Sequence, residues 1–129
     1  MPLAKIETKK HWSALERDQI MEAVHSALRH ALKIPEKDRN IRFIEHQPEN
    51  FQVPPNKSEN YILVEITMFN GRSFDAKKEL YKNIVDNLGE LEIQPGDVFI
   101  VLHEVPLENW GIRGGKPASE VDLGFNVNV

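Results

Sequence analysis

The stretch YILVEITM, residues 61–68, predicts a strand at the centre of the chain, around which the other elements are arranged. Val64, Ile66 and Met68 alternate with polar residues, which is the period of a strand that buries one face and exposes the other. The parts of the chain before and after this strand both contain patterns of strands and helices. The order of these elements therefore defines the architecture.

The part of the chain before this strand predicts a strand, a helix and a second strand. Apolar residues within 2–6 favour a short first strand. Ser13 and Glu16 have the spacing of a capping box, and apolar residues then recur at helical intervals to about Lys33. The sequence IRFIEH, residues 41–46, favours the second strand.

The part of the chain that follows repeats this order. Ser73 is a candidate N-cap for a second helix, which Gly89 is expected to end. The sequence VFIVLHEV, residues 98–105, then predicts a largely buried strand. A last strand is expected at residues 124–129.

The chain therefore predicts two consecutive β-α-β units, at about residues 1–46 and 60–129, within a single domain that spans 1–129. Right-handed crossovers place both helices on one face of a four-stranded sheet, giving an α+β fold with an added C-terminal strand or hairpin. The other face of the sheet is expected to be a large apolar patch, since the strands are rich in Val and Ile. We therefore expect a homo-oligomer.

Composition and charge exclude several classes of function. The formal net charge of −4 disfavours attraction to nucleic acid or to anionic membranes. The absence of cysteine excludes disulfides and thiolate chemistry. The five histidines form no recognised ligand motif, so we expect neither a metal nor another cofactor. With no signal peptide or membrane-spanning stretch, the chain reads as a cytoplasmic protein.

The first two residues suggest a reactive amine. Met1 precedes the small residue Pro2, a sequence that methionine aminopeptidases normally trim, so we expect Pro2 to be the mature N-terminus. A free α-amino group has an unperturbed pKa of about 7.7 to 8.0, and burial or a nearby cation would leave much of it neutral near pH 7. A neutral amine can serve as a general base, although proline at this position is also common in proteins without such a role.

Four features together resemble the tautomerase superfamily: Pro2, IPEKDR at 34–39, NGRS at 70–73 and ENWGIRGG at 108–115. Within it, the chain is most similar to the malonate semialdehyde decarboxylase branch and its tautomerase-like relatives. The resemblance implies a β-α-β fold, a homotrimer and an N-terminal proline near the floor of an apolar pocket. It also implies an arginine beside that proline, which would hold a small anionic substrate.

The resemblance also implies roles for individual residues. Pro2 matches the catalytic proline, Asp38 matches the acidic residue of the decarboxylase pattern, and Arg72 matches its second pocket arginine. Asn70 stands where that pattern has another arginine, although it remains a candidate for substrate binding. This difference favours tautomerase or hydratase chemistry over decarboxylation.

The candidate side chains also have interpretations that follow from the residues themselves. Arg72 lies between a strand end and a helix start, where a guanidinium and backbone N–H groups can bind a carboxylate; otherwise it is an exposed turn residue. Asp38 and Arg39 lie in a turn, where they either serve the site or form an exposed charge pair. Trp110 either forms a wall of the pocket or anchors its glycine-rich loop.

These observations favour an enol-keto tautomerase that acts on a small 2-oxo acid. Pro2 would be the general base and Arg72 would bind the carboxylate, with Arg39, Asn70 and Trp110 as further substrate contacts. One alternative is a decarboxylase or hydratase in which Pro2 is cationic and Asp38 positions water. Another is a non-enzymatic ligand-binding module, because ferredoxin-like domains have the same element order.

Overall fold

The computed structural model describes residues 2–129. The elements, in chain order, are β1 (Leu3–Thr8), α1 (Ala14–Leu32), β2 (Ile41–Glu45), β3 (Ile62–Phe69), α2 (Phe74–Gly89), β4 (Val98–Val105), β5 (Gly111–Ile112) and β6 (Lys116–Pro117). Within the described residues, neither α1 nor α2 is long and apolar enough to cross a membrane.

The main sheet has the strand order β2-β1-β3-β4. Strand β1 is parallel to β2, and β3 is parallel to β4, whereas β1 and β3 are antiparallel. Each parallel pair is joined by one helix, so the two predicted β-α-β units and the α+β class are confirmed. Strands β5 and β6 form a separate antiparallel hairpin near the C-terminal end.

Both helices begin at the residues that the sequence predicts. The Ser13 side chain accepts a hydrogen bond from the Glu16 N–H, and the Glu16 side chain accepts one from the Ser13 N–H, which completes the capping box of α1. Ser73 caps α2 by accepting a hydrogen bond from the Ala76 N–H. Helix α1 ends at Leu32, and its C-cap Lys33 has a left-handed backbone with φ of 57°.

The helices and one face of the sheet enclose the main hydrophobic core. Alternate residues of the central strands point toward the helices, and each helix contributes its apolar stripe. The fully buried members include Ile6, Val24, Leu28, Val64, Ile66, Met68, Leu80 and Ile84. The core therefore lies between the sheet and the two helices.

The opposite face of the sheet mixes charged and apolar residues, so charges interrupt the apolar patch expected there. Ile62, Val64, Ile66 and Met68 of β3 face the helices, which leaves Leu63, Glu65 and Thr67 on the open side. Glu65 lies 3.7 Å from Lys5 Nζ and 2.9 Å from His103 Nε2. The hydrogen bond with His103 lowers the pKa of Glu65 and is the largest effect, burial raises this pKa, and the charge of Lys5 lowers it. The net result is a lowered pKa. Phe99 is the exposed large apolar residue on this face, at 53%.

Residues 121–129, here called the closing segment, contain no strand, so the strand expected at 124–129 is wrong. The Gly124 N–H donates to Asp122 Oδ1, and the Asn128 N–H donates to Asn126 Oδ1. Such local side-chain acceptors turn the backbone away from strand pairing. The segment instead packs its apolar residues on a second cluster, which contains Phe69.

Candidate active site

The sheet topology brings four chain segments to one edge. Strands β1 and β2 begin at this edge, whereas β3 and β4 end there. The residues before β1 and β2 therefore meet the residues after β3 and β4. Two backbone hydrogen bonds tie these segments together, from the Ala4 N–H to the Asn40 carbonyl and from the Asn70 N–H to the Val105 carbonyl. We call this the site edge.

Pro2 is buried at the site edge, directly before β1. The next residue, Leu3, pairs with Thr67 near the end of β3, which places Pro2 beside the strand that leads into the turn at 70–73. The expected removal of Met1 concerns a residue that lies outside the described ones.

Arg72 is buried at the same edge, with 6% of its surface exposed. Its Nη1 atom donates to the Phe69 carbonyl at 3.2 Å. Its Nε and Nη2 atoms are buried and have no hydrogen-bond partner among the described residues. A buried donor without a partner costs about 1 to 3 kcal/mol, and more when the group is charged. Arg72 therefore keeps two buried donors that the described residues do not satisfy.

Carboxylates on two other segments face this guanidinium. Burial lowers the pKa of Arg72, and the charges of Asp38 and Glu104 partly oppose that shift. Arginine stays protonated in such surroundings because its intrinsic pKa is so high. The site edge therefore contains a buried positive charge with acidic groups from the segment before β2 and from the end of β4.

Asp38 also borders a cavity of about 230 Å³. Its walls combine charged and apolar side chains, and the closing segment supplies two of the apolar ones. The lining residues are Pro35, Lys37, Asp38, Ile112, Arg113, Leu123 and Phe125. The cavity is large enough for a small organic acid, and Asp38 both lines it and acts on the charge of Arg72.

Arg39 is turned away from this cavity. Its Nη2 atom donates to Glu22 Oε2 at 2.7 Å and to Glu36 Oε1 at 3.2 Å. These bonds raise the pKa of Arg39, the Glu22 bond most of all. The structure therefore places Arg39 in an exposed ion-pair network against α1, which is a structural position within this subunit.

Asn70 and Trp110 occupy different positions at the edge. Asn70 is exposed in the turn that carries Arg72. Trp110 donates from Nε1 to the Val105 carbonyl at 3.1 Å, and its ring contacts Phe69 edge-on with centroids 4.8 Å apart. Trp110 is absent from the walls of the cavity at Asp38. Its contacts are those of a loop anchor.

The closing segment is a part of the site that the sequence did not reveal. A Cβ atom on Gly71 would lie 2.7 Å from Asn128 Oδ1, and Ser73 Oγ donates to the Val129 carbonyl at 2.7 Å. The segment thus contacts the residues on both sides of Arg72. The one hint in the sequence is Gly71 itself, whose φ of 119° suits glycine.

The described residues contain no group of three or more His, Asp or Glu side chains placed to hold a metal ion. The described groups at this edge are thus a buried proline, a guanidinium and carboxylates. Such groups support proton transfer on an anionic substrate.

Sequence comparison finds relatives along most of the chain. A family model described as "Tautomerase enzyme" matches residues 38–113. "Probable tautomerase YusQ" of Bacillus subtilis (strain 168) is 24% identical over 122 residues, which cover 90% of this chain and 96% of that protein.

Solved structures with this fold include a decarboxylase and a fused trimer. FG41 malonate semialdehyde decarboxylase, inhibited by 3-bromopropiolate, is 25% identical with a TM-score of 0.81, covering 89% of this chain and 92% of that one. A fused 4-OT asymmetric trimer is 15% identical with a TM-score of 0.81, covering 91% and 96%, a likeness of fold alone.

Proposed function

Since the chain belongs to the tautomerase enzyme family, we propose that it converts the enol form of a small 2-oxo acid into the keto form. In this proposal Pro2, freed by removal of Met1, is the general base. Arg72 binds the carboxylate of the substrate. The observation that carries the proposal is the pair of buried donors on Arg72 that have no partner among residues 2–129.

The geometry of these donors suits a carboxylate. Nε and Nη2 lie on one edge of the planar guanidinium, so they present two parallel N–H groups that match two carboxylate oxygens. The third nitrogen, Nη1, is held by the Phe69 carbonyl and fixes the plane. Because both free donors are covered, binding requires a local opening at the turn, where the closing segment contacts Gly71 and Ser73.

Proton transfer would follow from the position of Pro2. Burial of Pro2 and the charge of Arg72 disfavour the cationic amine, whereas the carboxylates of Asp38 and Glu104 favour it. In the proposal the first two effects prevail, so that the nitrogen is a base. The amine takes the proton from the enol hydroxyl, and the same proton is then delivered to the neighbouring carbon. The substrate gains a C–H bond and a carbonyl group, and the amine returns to its neutral form.

A homotrimer is part of the proposal. The 4-OT structures that share this fold are trimers, and the open face of the sheet supplies a surface on which subunits can pack. Neighbouring subunits would then complete the walls of the site. Light scattering at micromolar concentration should give three times the 14.8 kDa chain mass, and a monomer would contradict this part.

Decarboxylase or hydratase activity is the second candidate. The position of Asp38 at the cavity favours it, since a carboxylate there can orient water beside a cationic Pro2 amine. The 25% identity to FG41 malonate semialdehyde decarboxylase supports the same alternative. Titration of the amine by NMR separates the two: a neutral amine at the pH of catalysis supports the tautomerase, and a cationic amine supports the decarboxylase or hydratase.

The experiment that tests the proposal is a rate measurement with the Met-processed protein. Decay of the enol absorbance of phenylenolpyruvate should be faster than the uncatalysed decay, and Pro2→Ala should lower kcat by about 100-fold or more. A tag placed directly before Pro2 should abolish activity, whereas the same tag after Val129 is the matched control. Equal activity in both tagged forms would refute the role of Pro2, whereas ligand binding without enol turnover in either form would favour a ligand-binding module.

A further inference from the structure

An ion pair lies beside the turn that carries Arg72 and has no part in the proposed proton transfer. Lys77 Nζ lies 2.6 Å from Glu104 Oε1. Lys77 belongs to the first turns of α2, which begins directly after Arg72, and Glu104 lies next to the end of β4. The pair therefore links the start of α2 to β4, the strand to which the Arg72 turn is hydrogen-bonded.

The pair lies at the surface beside the Arg72 turn, and its side chains are partly covered. The side chains of Lys77 and Glu104 are 23% and 33% exposed, so solvent screens them only in part. Glu104 is one of the two carboxylates whose charge acts on Arg72. An uncompensated Glu104 would weaken the positive potential that an anionic substrate meets at the guanidinium.

We infer that Lys77 and Glu104 are a positioning pair for the substrate-binding arginine. Glu104 stabilises the buried charge of Arg72, and Lys77 offsets the charge of Glu104, so that the positive potential stays available to an anionic substrate. The two residues set the preference of the site for acids over their uncharged esters. The inference rests on the proposed function, because it takes Arg72 as the carboxylate ligand.

Two single substitutions should change anion binding in opposite directions. Lys77→Met keeps the apolar stem and leaves Glu104 uncompensated, so KM for phenylenolpyruvate should rise about three- to tenfold with kcat nearly unchanged. Glu104→Gln removes the negative charge, so KM should fall about two- to fivefold. The double variant should return KM to within about twofold of the wild type.

The matched control breaks an ion pair of the same helix that is far from the turn. Lys82 and Asp86 are paired at 2.8 Å, with side chains 69% and 58% exposed. Lys82→Met should leave KM unchanged. If Lys77→Met and Glu104→Gln shift KM in the same direction, the pair is merely structural and the inference is overturned.

A binding measurement separates failure of the inference from failure of the proposed function. The dissociation constant for pyruvate, a 2-oxo acid, is measured by calorimetry for the wild type, Lys77→Met, Glu104→Gln and the double variant. Binding that follows the predicted opposite shifts without any enol turnover supports the pair and refutes the tautomerase. Turnover with equal dissociation constants in all variants refutes the pair alone, and absence of pyruvate binding to the wild type contradicts both.

Discussion

Arg72 and Asp97 are two buried charged side chains at opposite ends of the sheet. Asp97 is 4% exposed and precedes β4; one of its oxygens accepts from the Ser58 N–H at 2.9 Å and the other from the Ser58 hydroxyl. Arg72 is 6% exposed and follows β3, yet two of its donor nitrogens have no partner among the described residues.

The different hydrogen bonding of these two side chains separates structural from functional polar groups in this protein. A buried charge whose hydrogen bonds are all made within the chain supports the fold, as Asp97 does by holding the Ser58 segment. A buried charge that keeps free donors costs stability and suggests a ligand. Their burial is nearly equal, so it does not separate the two roles.

The largest expected effect concerns Arg72. Arg72→Met keeps much of the apolar stem and removes the donors, so kcat/KM for an enolised 2-oxo acid should fall on the order of 100-fold. The free energy of unfolding should change by less than about 1 kcal/mol, because loss of the bond to Phe69 is offset by removal of two unsatisfied donors. Steady-state kinetics and urea unfolding measure the two quantities.

Arg39→Met is the control for that substitution. Arg39 is exposed and ion-paired, so its removal should cost less than about 1 kcal/mol and leave kcat/KM within about twofold. A large loss of stability in Arg72→Met, with activity retained, would show that Arg72 is a structural residue like Asp97.

Asp97 should behave in the opposite way. Asp97→Ala leaves the Ser58 N–H and hydroxyl without their acceptors, so the free energy of unfolding should fall by about 2 to 3 kcal/mol. Activity of the folded protein should stay unchanged. Asp97→Asn, which retains one oxygen acceptor, should recover part of the stability. A defect in kcat/KM at full stability would show that the Asp97 end also serves catalysis.

A smaller effect is expected at the turn that positions Arg72. Gly71→Ala combines a left-handed φ of 119° with a contact to Asn128, whereas Gly114→Ala has a φ of 83° and open space around the new Cβ. Both should lose about 1 kcal/mol from backbone strain. Gly71→Ala alone should also raise KM, and adding Asn128→Ala should reverse that rise. Equal KM values for Gly71→Ala and Gly114→Ala would show that the closing segment is irrelevant to the arginine.

Local signals in the sequence predicted the elements of the fold well. Ser13 with Glu16, and Ser73 alone, mark helix starts because each cap involves residues only three positions apart. The alternation in 61–68 predicted β3, because one face of this strand is buried. The strand expected at 124–129 does not form because the side-chain oxygens of Asp122 and Asn126 accept hydrogen bonds from backbone N–H groups two residues on and turn the chain there.

The candidate site could be predicted only in part. Pro2, Asp38 and Arg72 were identified through their match to family motifs, but their meeting at one edge depends on strand directions. The unpartnered donors of Arg72 and the contacts of the closing segment involve residues far apart in sequence. Periodicity and spacing report only on residues that are close in sequence, so these contacts are visible only in the three-dimensional structure.

One labelling experiment tests directly whether Pro2 and Arg72 form a single site. The reagent 2-oxo-3-pentynoate carries a carboxylate for Arg72 and an electrophilic alkyne, to which a neutral amine adds by forming an N–C bond while its proton moves to carbon. Intact mass and peptide mapping of the Met-processed protein should show one reagent on Pro2, formed about 100-fold more slowly in Arg72→Met. Labelling of lysines instead of Pro2, or equal rates in both proteins, would contradict the account.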